Sequence, residues 1–367
     1  MNMIDTNIHH ISAQFPSNNY ITNRTRQLLH NLVKIGRSDQ VILGHQSTNT
    51  LSRTGWRGLD ESDFKDVTGQ FPGMVAYDIG GIERGNDRVW LDGTTSRVVD
   101  AIKYAYGKGL LVSISWHTRN PIDVNYDQKN RAGNGKVKDF GNTVNKILND
   151  KTIQQTYLKW LDMLATFFDQ LVDDSGVEIP VLFRPFHECT GKWFWWGTER
   201  CTDEEYIKLY RLTHEYLSKQ KGVNNILWVY NTDRVSSEEE YTKRYPGNDY
   251  IDLCSMDFYD YENYKPDVLK ARLSKSLDAM RSASKKLNKS YFIAEGGKKN
   301  NTDVSYFTSR CTQFFPKDLV AFCFWVNSKN NYYVPFKGDP NAEDFKKMIR
   351  QNSLLLENDV RKLKIYS

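Results

Sequence analysis

Eight apolar runs of strand length, separated by stretches of helical periodicity, constrain this chain more than any other feature. They are VILGHQ at 41–46, MVAYDIGG at 74–81, LLVSISWH at 110–117 and IPVLFRPFHE at 179–188, then NILWVYNTD at 225–233, IDLCSMDFYD at 251–260, YFIAEGG at 291–297 and LVAFCFWVN at 319–327. Each is apolar nearly throughout instead of alternating, the pattern of a strand covered on both faces. Between them, residues 152–172 place Ile153, Tyr157, Leu161, Leu164, Phe168 and Leu171 at helical spacing, and Thr202 with Glu205 opens another helix as a capping box. Eight βα units in order predict an α/β fold, the closed (β/α)8 TIM barrel. The rival, a doubly wound open sheet, would bring a glycine fingerprint after its first strand, and neither GxGxxG nor a phosphate loop occurs. No repeat or linker rich in Pro, Gly or Ser divides the chain. Residues 1–367 are therefore expected to form one catalytic barrel domain, with an N-terminal extension over about residues 1–37.

In a parallel barrel the carboxyl ends of the strands carry the chemistry. Seven runs end in His45, His117, Glu188, Asp233, Tyr259, Glu295 and Trp325, which are expected to converge on one mouth. The long polar insertion at 118–146 and the loops after the second and eighth runs would wall a cleft there.

Two carboxylates delivered by two strands are what cleavage of a glycosidic bond requires, one protonated and one ionised. Glu188 sits among Phe186, Trp193, Phe194, Trp195 and Trp196, an apolar setting that favours a neutral proton donor. Glu295 sits in a glycine-flanked turn where Arg184 and the Tyr259 hydroxyl could hold it ionised as a nucleophile. Trp193, Trp195 and Trp196, three tryptophans within four residues beside a polar strand end, are not expected all to be buried, and at least one is expected to be a stacking platform for a sugar ring. A metal hydrolase is disfavoured: HECTG lacks the second histidine of HExxH, no HxH follows the first strand, and the eighth run ends in Trp325 and Asn327 instead of aspartate. No metal or organic cofactor is expected. A non-catalytic carbohydrate-binding barrel would keep the aromatic platforms but would not need both glutamates.

A net charge of +5 from 50 basic and 45 acidic residues, without a basic run, argues against a nucleic-acid partner. No apolar run approaches the ~20 residues needed to span a bilayer, and MNMIDTNIHHISAQF does not read as a secretory signal. Five cysteines exclude complete internal pairing; Cys254 and Cys323 read as core residues, whereas Cys189 and Cys201 flank the WFWW loop and could be bridged.

FRPFHECTGKWFWWG, ISWH, GHQ, LWVYNTD and DFYD, in this order over about residues 38–335, resemble glycoside hydrolase family 26, chiefly its β-mannanases. The resemblance implies a retaining clan A barrel with Glu188 as acid/base and Glu295 as nucleophile. It implies that His117, His187, Trp193, Tyr259 and Trp325 line the subsites around the cleaved bond, with Arg184 and Trp196 beside them and Asp257 holding a sugar hydroxyl. Cys189 and Thr190 depart from the Met and Asn usual after the acid/base, and AEGG replaces the commoner S/T-E-x-G. The implied substrate is β-1,4-mannan, galactomannan or manno-oligosaccharide, cut internally or released as mannobiose; β-1,3-1,4-glucan and β-xylan are the alternatives. A monomer is expected, and because polymeric mannan does not enter cells its setting is expected to be periplasmic, surface-attached or secreted, although short oligosaccharides could still be cytoplasmic substrates.

Overall fold

A computed structural model describes residues 14–261 and 264–367. The β-branched and aromatic runs form strands β1 (Val41–Gln46), β2 (Met74–Asp78), β3 (Leu111–Trp116), β4 (Val181–Pro185), β5 (Ile226–Thr232), β6 (Leu253–Tyr259), β7 (Ser290–Gly297) and β8 (Ala321–Phe324). All eight pair in parallel with their chain neighbours, and β8 returns to β1 with Ile42 opposite Ala321 and His45 opposite Phe324. The sheet is closed, as the order of βα units predicts.

Alternation along each strand sorts the residues into an inner and an outer layer. Low in the barrel the inner layer is apolar: Ile42, Met74, Leu111, Leu182, Leu227, Leu253 and Phe292 pack with Leu28, Leu29 and Leu32 of the helix Asn23–Ile35, which corks the amino-terminal end of the barrel. Two residues further up the same strands the inward direction is taken by Arg184 and Ser255, and four residues up by Asn231 and Asp257. The interior thus turns from hydrocarbon at the bottom to hydrogen-bonding groups at the top. The outer layer, including Ile114, Trp116, Phe183, Trp228 and Tyr230, packs against Leu161, Leu164 and Phe168 of the helix Lys151–Asp169 and Tyr206, Leu209 and Tyr210 of the helix Asp203–Glu215. The latter helix opens with the expected capping box: the Thr202 N–H donates to Glu205 at 2.8 Å and the Glu205 N–H donates to Thr202 Oγ1 at 3.2 Å.

Several boundaries differ from the sequence reading for local reasons. The run at 179–188 stops being strand at Pro185, whose ring carries no N–H to continue the ladder. Beyond it, Phe186 and Glu188 both adopt left-handed backbone with φ of 51°. The final run is strand only over Ala321–Phe324. Within the expected N-terminal extension, Asn23–Ile35 forms the corking helix, and residues 1–13 lie outside the described residues. Among the described residues, no helix is long and apolar enough to cross a membrane.

Candidate active site

The left-handed turn after β4 lifts Glu188 onto the rim of the barrel, where it is half-buried. Its backbone N–H donates to Asn231 Oδ1 of β5 at 2.7 Å, and the Trp193 indole N–H donates to its Oε2 at 2.6 Å. Glu295 arrives from β7. Its Oε2 accepts from the Tyr259 hydroxyl at 2.7 Å, and its Oε1 accepts from Arg184. The other arm of the Arg184 guanidinium donates to Asp257 Oδ2 at 2.9 Å, and the Asn231 amide donates to Asp257 Oδ1 at 2.9 Å. The register between β6 and β7 shifts between Met256 and Asp257, so that Asp257 stands opposite Glu295. Such irregularities re-aim side chains beside functional sites.

A carboxylate oxygen from each of Glu188, Asp257 and Glu295 falls within 4.8 Å of the others. Burial first, then the charges of Glu295 and Asp233, push the Glu188 carboxyl up to about 8, against the pull of Trp193 and Arg184. Burial also drives Asp257 upward. Both Asp257 oxygens, however, accept hydrogen bonds from donors that cannot accept one back, which leaves Glu188 as the seat of the proton. Both Glu295 oxygens are engaged as well, one by the Tyr259 hydroxyl and one by Arg184, whose positive charge lies beside them. Burial and the neighbouring Glu295 raise the Tyr259 phenol well above its ordinary value, so its hydroxyl remains a donor. On distance alone the three carboxyl groups could hold a divalent cation, but Arg184 already supplies the counter-charge to two of them.

A second chain of contacts leads away from Glu188. His187 Nε2 lies 3.0 Å from His117 Nε2, and His117 Nδ1 lies 2.6 Å from Asp78 Oδ2 at the end of β2. Burial alone would raise Asp78, but His117, the Ser115 hydroxyl at 2.7 Å and the Gly80 N–H at 2.8 Å bring it below the usual carboxylate range. An acceptor-only Asp78 fixes the hydrogen of His117 on Nδ1. Burial, His117 and Arg184 hold His187 neutral. The Trp90 ring lies 4.6 Å from that of His117 and 6.3 Å from Trp325, so an aromatic floor runs along the mouth.

Residues 17–317 match the model of glycosyl hydrolase family 26. The chain belongs to that family. A family 26 β-mannanase from Bacteroides ovatus has a structure that superposes with a TM-score of 0.87 at 31% identity, over 94% of this chain and 98% of that one. A mannan endo-1,4-β-mannosidase of Bacillus subtilis is 27% identical over 333 residues, 85% of this chain and 82% of that protein. Another, from Bifidobacterium adolescentis, is 29% identical over 256 residues, 67% of this chain but only 24% of that much longer protein.

Not all of the residues expected to line the family 26 cleft do so. Glu188, Glu295, His117, Trp193, Tyr259 and Trp325 come together at the mouth, and His187 is buried behind His117. Trp196, expected at a subsite, is fully buried: its ring stacks on Phe194 at 4.6 Å and its N–H donates to the His187 carbonyl at 2.9 Å, so it supports the rim from behind. Trp195 is buried as well, which leaves Trp193 as the one open face of the WFWW cluster. Asp257, expected to hold a sugar hydroxyl, is buried with its oxygens taken by Arg184 and Asn231; Arg184 is buried between Asp257 and Glu295. Each acts on the neighbouring carboxylates. His45 is sealed below the mouth against Thr48 at 2.9 Å, and burial lowers it to about 3. Cys189 and Cys201 are free buried thiols, not a bridge, and the Arg244 guanidinium binds the Cys189 and Cys201 carbonyls at 3.2 and 2.7 Å instead. Sequence reasoning missed Asp78, Asn231 and Trp90. The first two were visible as polar residues closing apolar runs; Trp90, in a loop, carried no such signal.

Proposed function

We propose that this chain is a retaining β-1,4-mannanase whose proton donor is Glu188 and whose nucleophile is Glu295. The observation that carries the reading is the approach of their oxygens to within 4.8 Å. Retaining glycosidases hold the two carboxyl groups about 5–5.5 Å apart, whereas inverting ones need about 6.5–9.5 Å to seat a water. In the first displacement Glu295 attacks the anomeric carbon and forms a glycosyl ester, while the C–O bond to the leaving sugar breaks and its oxygen takes the Glu188 proton. In the second, Glu188 as a carboxylate removes a proton from water, whose oxygen attacks the same carbon and releases Glu295. Arg184 and Tyr259 orient Glu295 for the attack, and Trp193 orients Glu188. The names of the mannan-cleaving relatives support mannan as the polymer.

Residues 1–367 are read as one catalytic unit acting as a monomer, since every group used in the two steps comes from this chain. A polymeric substrate places it in the periplasm, on the cell surface or outside the cell. The test is a chromatographic time course on unsubstituted β-1,4-mannan, with mixed-linkage glucan and β-xylan in parallel. Manno-oligosaccharides are expected; product from glucan or xylan with none from mannan would overturn the substrate. A Glu188→Ala variant given azide and an activated aryl β-mannoside should yield β-mannosyl azide. No azide adduct, or the α-anomer, would overturn the assigned roles.

A further inference from the structure

One end of the mouth carries charge that plain mannan cannot use. The turn after β2 and the insertion after β3 enclose a pocket of about 320 Å³ beside His117, lined by Trp90, Gly80, Gly81 and Gly133 together with Arg84, Arg88, Arg119 and Arg131, and by only one carboxylate, Asp127. At Gly133 the position of a side chain is open space, whereas Gly80 and Gly81 let the turn pack closely on the His117 and Arg88 backbones. Trp90 is 53% exposed and continues the floor formed by Trp325 and His117, so a sugar chain lying on that floor runs directly into the pocket.

The four guanidinium groups differ in what already occupies them. Arg131 spends its charge on Asp127 at 2.9 Å. Arg119 donates to the backbone carbonyls of Val124 and Asn125 in its own loop, and burial and the adjacent Arg84 hold it below the ordinary arginine range. The Arg84 and Arg88 side chains are exposed, and among the described residues their guanidinium groups make no ion pair or hydrogen bond. Recognition of a neutral hydroxyl would be served by an amide or hydroxyl side chain. Two forked cations left without a carboxylate partner, Arg84 and Arg88, suit an anionic oxygen group, which they can bind bidentately.

We propose that this pocket is a subsite for a sugar bearing an anionic substituent, a carboxylate or a sulfate ester, and that the enzyme prefers acidic to neutral mannan. The proposal rests on the glycosidase reading above and adds the substrate class of one subsite. Arg84 and Arg88 are assigned the contacts to the anion, and Trp90 the stacking face for the ring that carries it.

The intact protein would be assayed on three polymers: unsubstituted β-1,4-mannan, the same mannan with a fraction of its C6 hydroxyls oxidised to carboxylates, and a lightly C6-sulfated form. At low ionic strength one acidic form is expected to show kcat/KM about tenfold above that of plain mannan, the worth of one charge-assisted pair. The advantage should shrink in high salt, and acidic sugars should appear at one fixed distance from the cut end of the products. Preference for one acidic form over the other identifies the anion. In the Arg84→Ala/Arg88→Ala double variant the ratio should fall to one, chiefly through KM on the acidic polymer. A ratio at or below one in the unaltered protein for both acidic forms, or a ratio the double variant leaves unchanged, would overturn the proposal. If plain mannan resists cleavage while another β-glycan is cut, the mannan assignment falls by itself; the same oxidised and plain pair made from that glycan still decides the anion subsite.

Discussion

Replacing Trp193 by Phe would isolate the one hydrogen bond that opposes the upward displacement of Glu188. The indole N–H donates to Glu188 Oε2 at 2.6 Å, and the phenyl ring keeps most of the apolar bulk while deleting the donor. A hydrogen bond to a charged group contributes about 1.5–3 kcal/mol. The protonated carboxyl can also accept from the indole, so only the preference for the ionised form counts, about 1–1.5 kcal/mol, or roughly one pH unit at 1.36 kcal/mol each. Glu188 must hold its proton to begin the reaction, so kcat/KM should decline as pH rises through about 8 in the parent protein. In Trp193→Phe that alkaline limb should move up by about one unit, whatever happens to KM through lost stacking. The assay is kcat/KM for an aryl β-mannobioside from acid to alkaline pH, with folding checked by circular dichroism at each end. An alkaline limb that stays in place or moves down would refute the assignment of that limb to Glu188, or the direction in which Trp193 acts on it.

Arg184→Met leaves Asp257 and Glu295 buried without their shared cation, so a loss of about 3–5 kcal/mol in urea unfolding is expected; a loss below about 1 kcal/mol would show that the cluster does not depend on the guanidinium. Asp78→Asn leaves one acceptor oxygen where Gly80, Ser115 and His117 all donate, so the His117 tautomer is no longer fixed; kcat/KM should drop by about ten- to a hundredfold, and some loss of melting temperature is expected from a buried carboxylate with these partners. Prolonged dialysis against a chelator should leave kcat/KM unchanged; inactivation reversed by one divalent cation would reassign the three-carboxylate cluster.

The barrel was legible because strand burial on two faces leaves an unbroken apolar run, and eight such runs in order admit few arrangements. Glu188 and Glu295 were legible because a carboxylate closing such a run stands out. Within the WFWW cluster Trp196 misled, because a tryptophan's size announces contact area but not which side of a loop it faces; Trp196 turns inward to the His187 carbonyl and Trp195 to the Thr118 carbonyl. Asp257 misled in a different way. Strand alternation aims it into the barrel, yet the register shift beside Met256 brings it opposite Glu295, and no local sequence cue marks an irregularity that depends on two strands at once.

The helix that corks the barrel also determines which way the enzyme would face if held. Asn31 on that helix donates to the carbonyls of Ile365 and Ser367 at 3.0 and 3.2 Å, and Tyr366 donates to the Leu110 carbonyl just below β3 at 2.8 Å. Ser367 therefore lies on the face opposite the mouth. A bead, a scaffold or a membrane lipid coupled there would hold the cleft pointing outward, presented to passing polysaccharide without the support blocking either end of the floor.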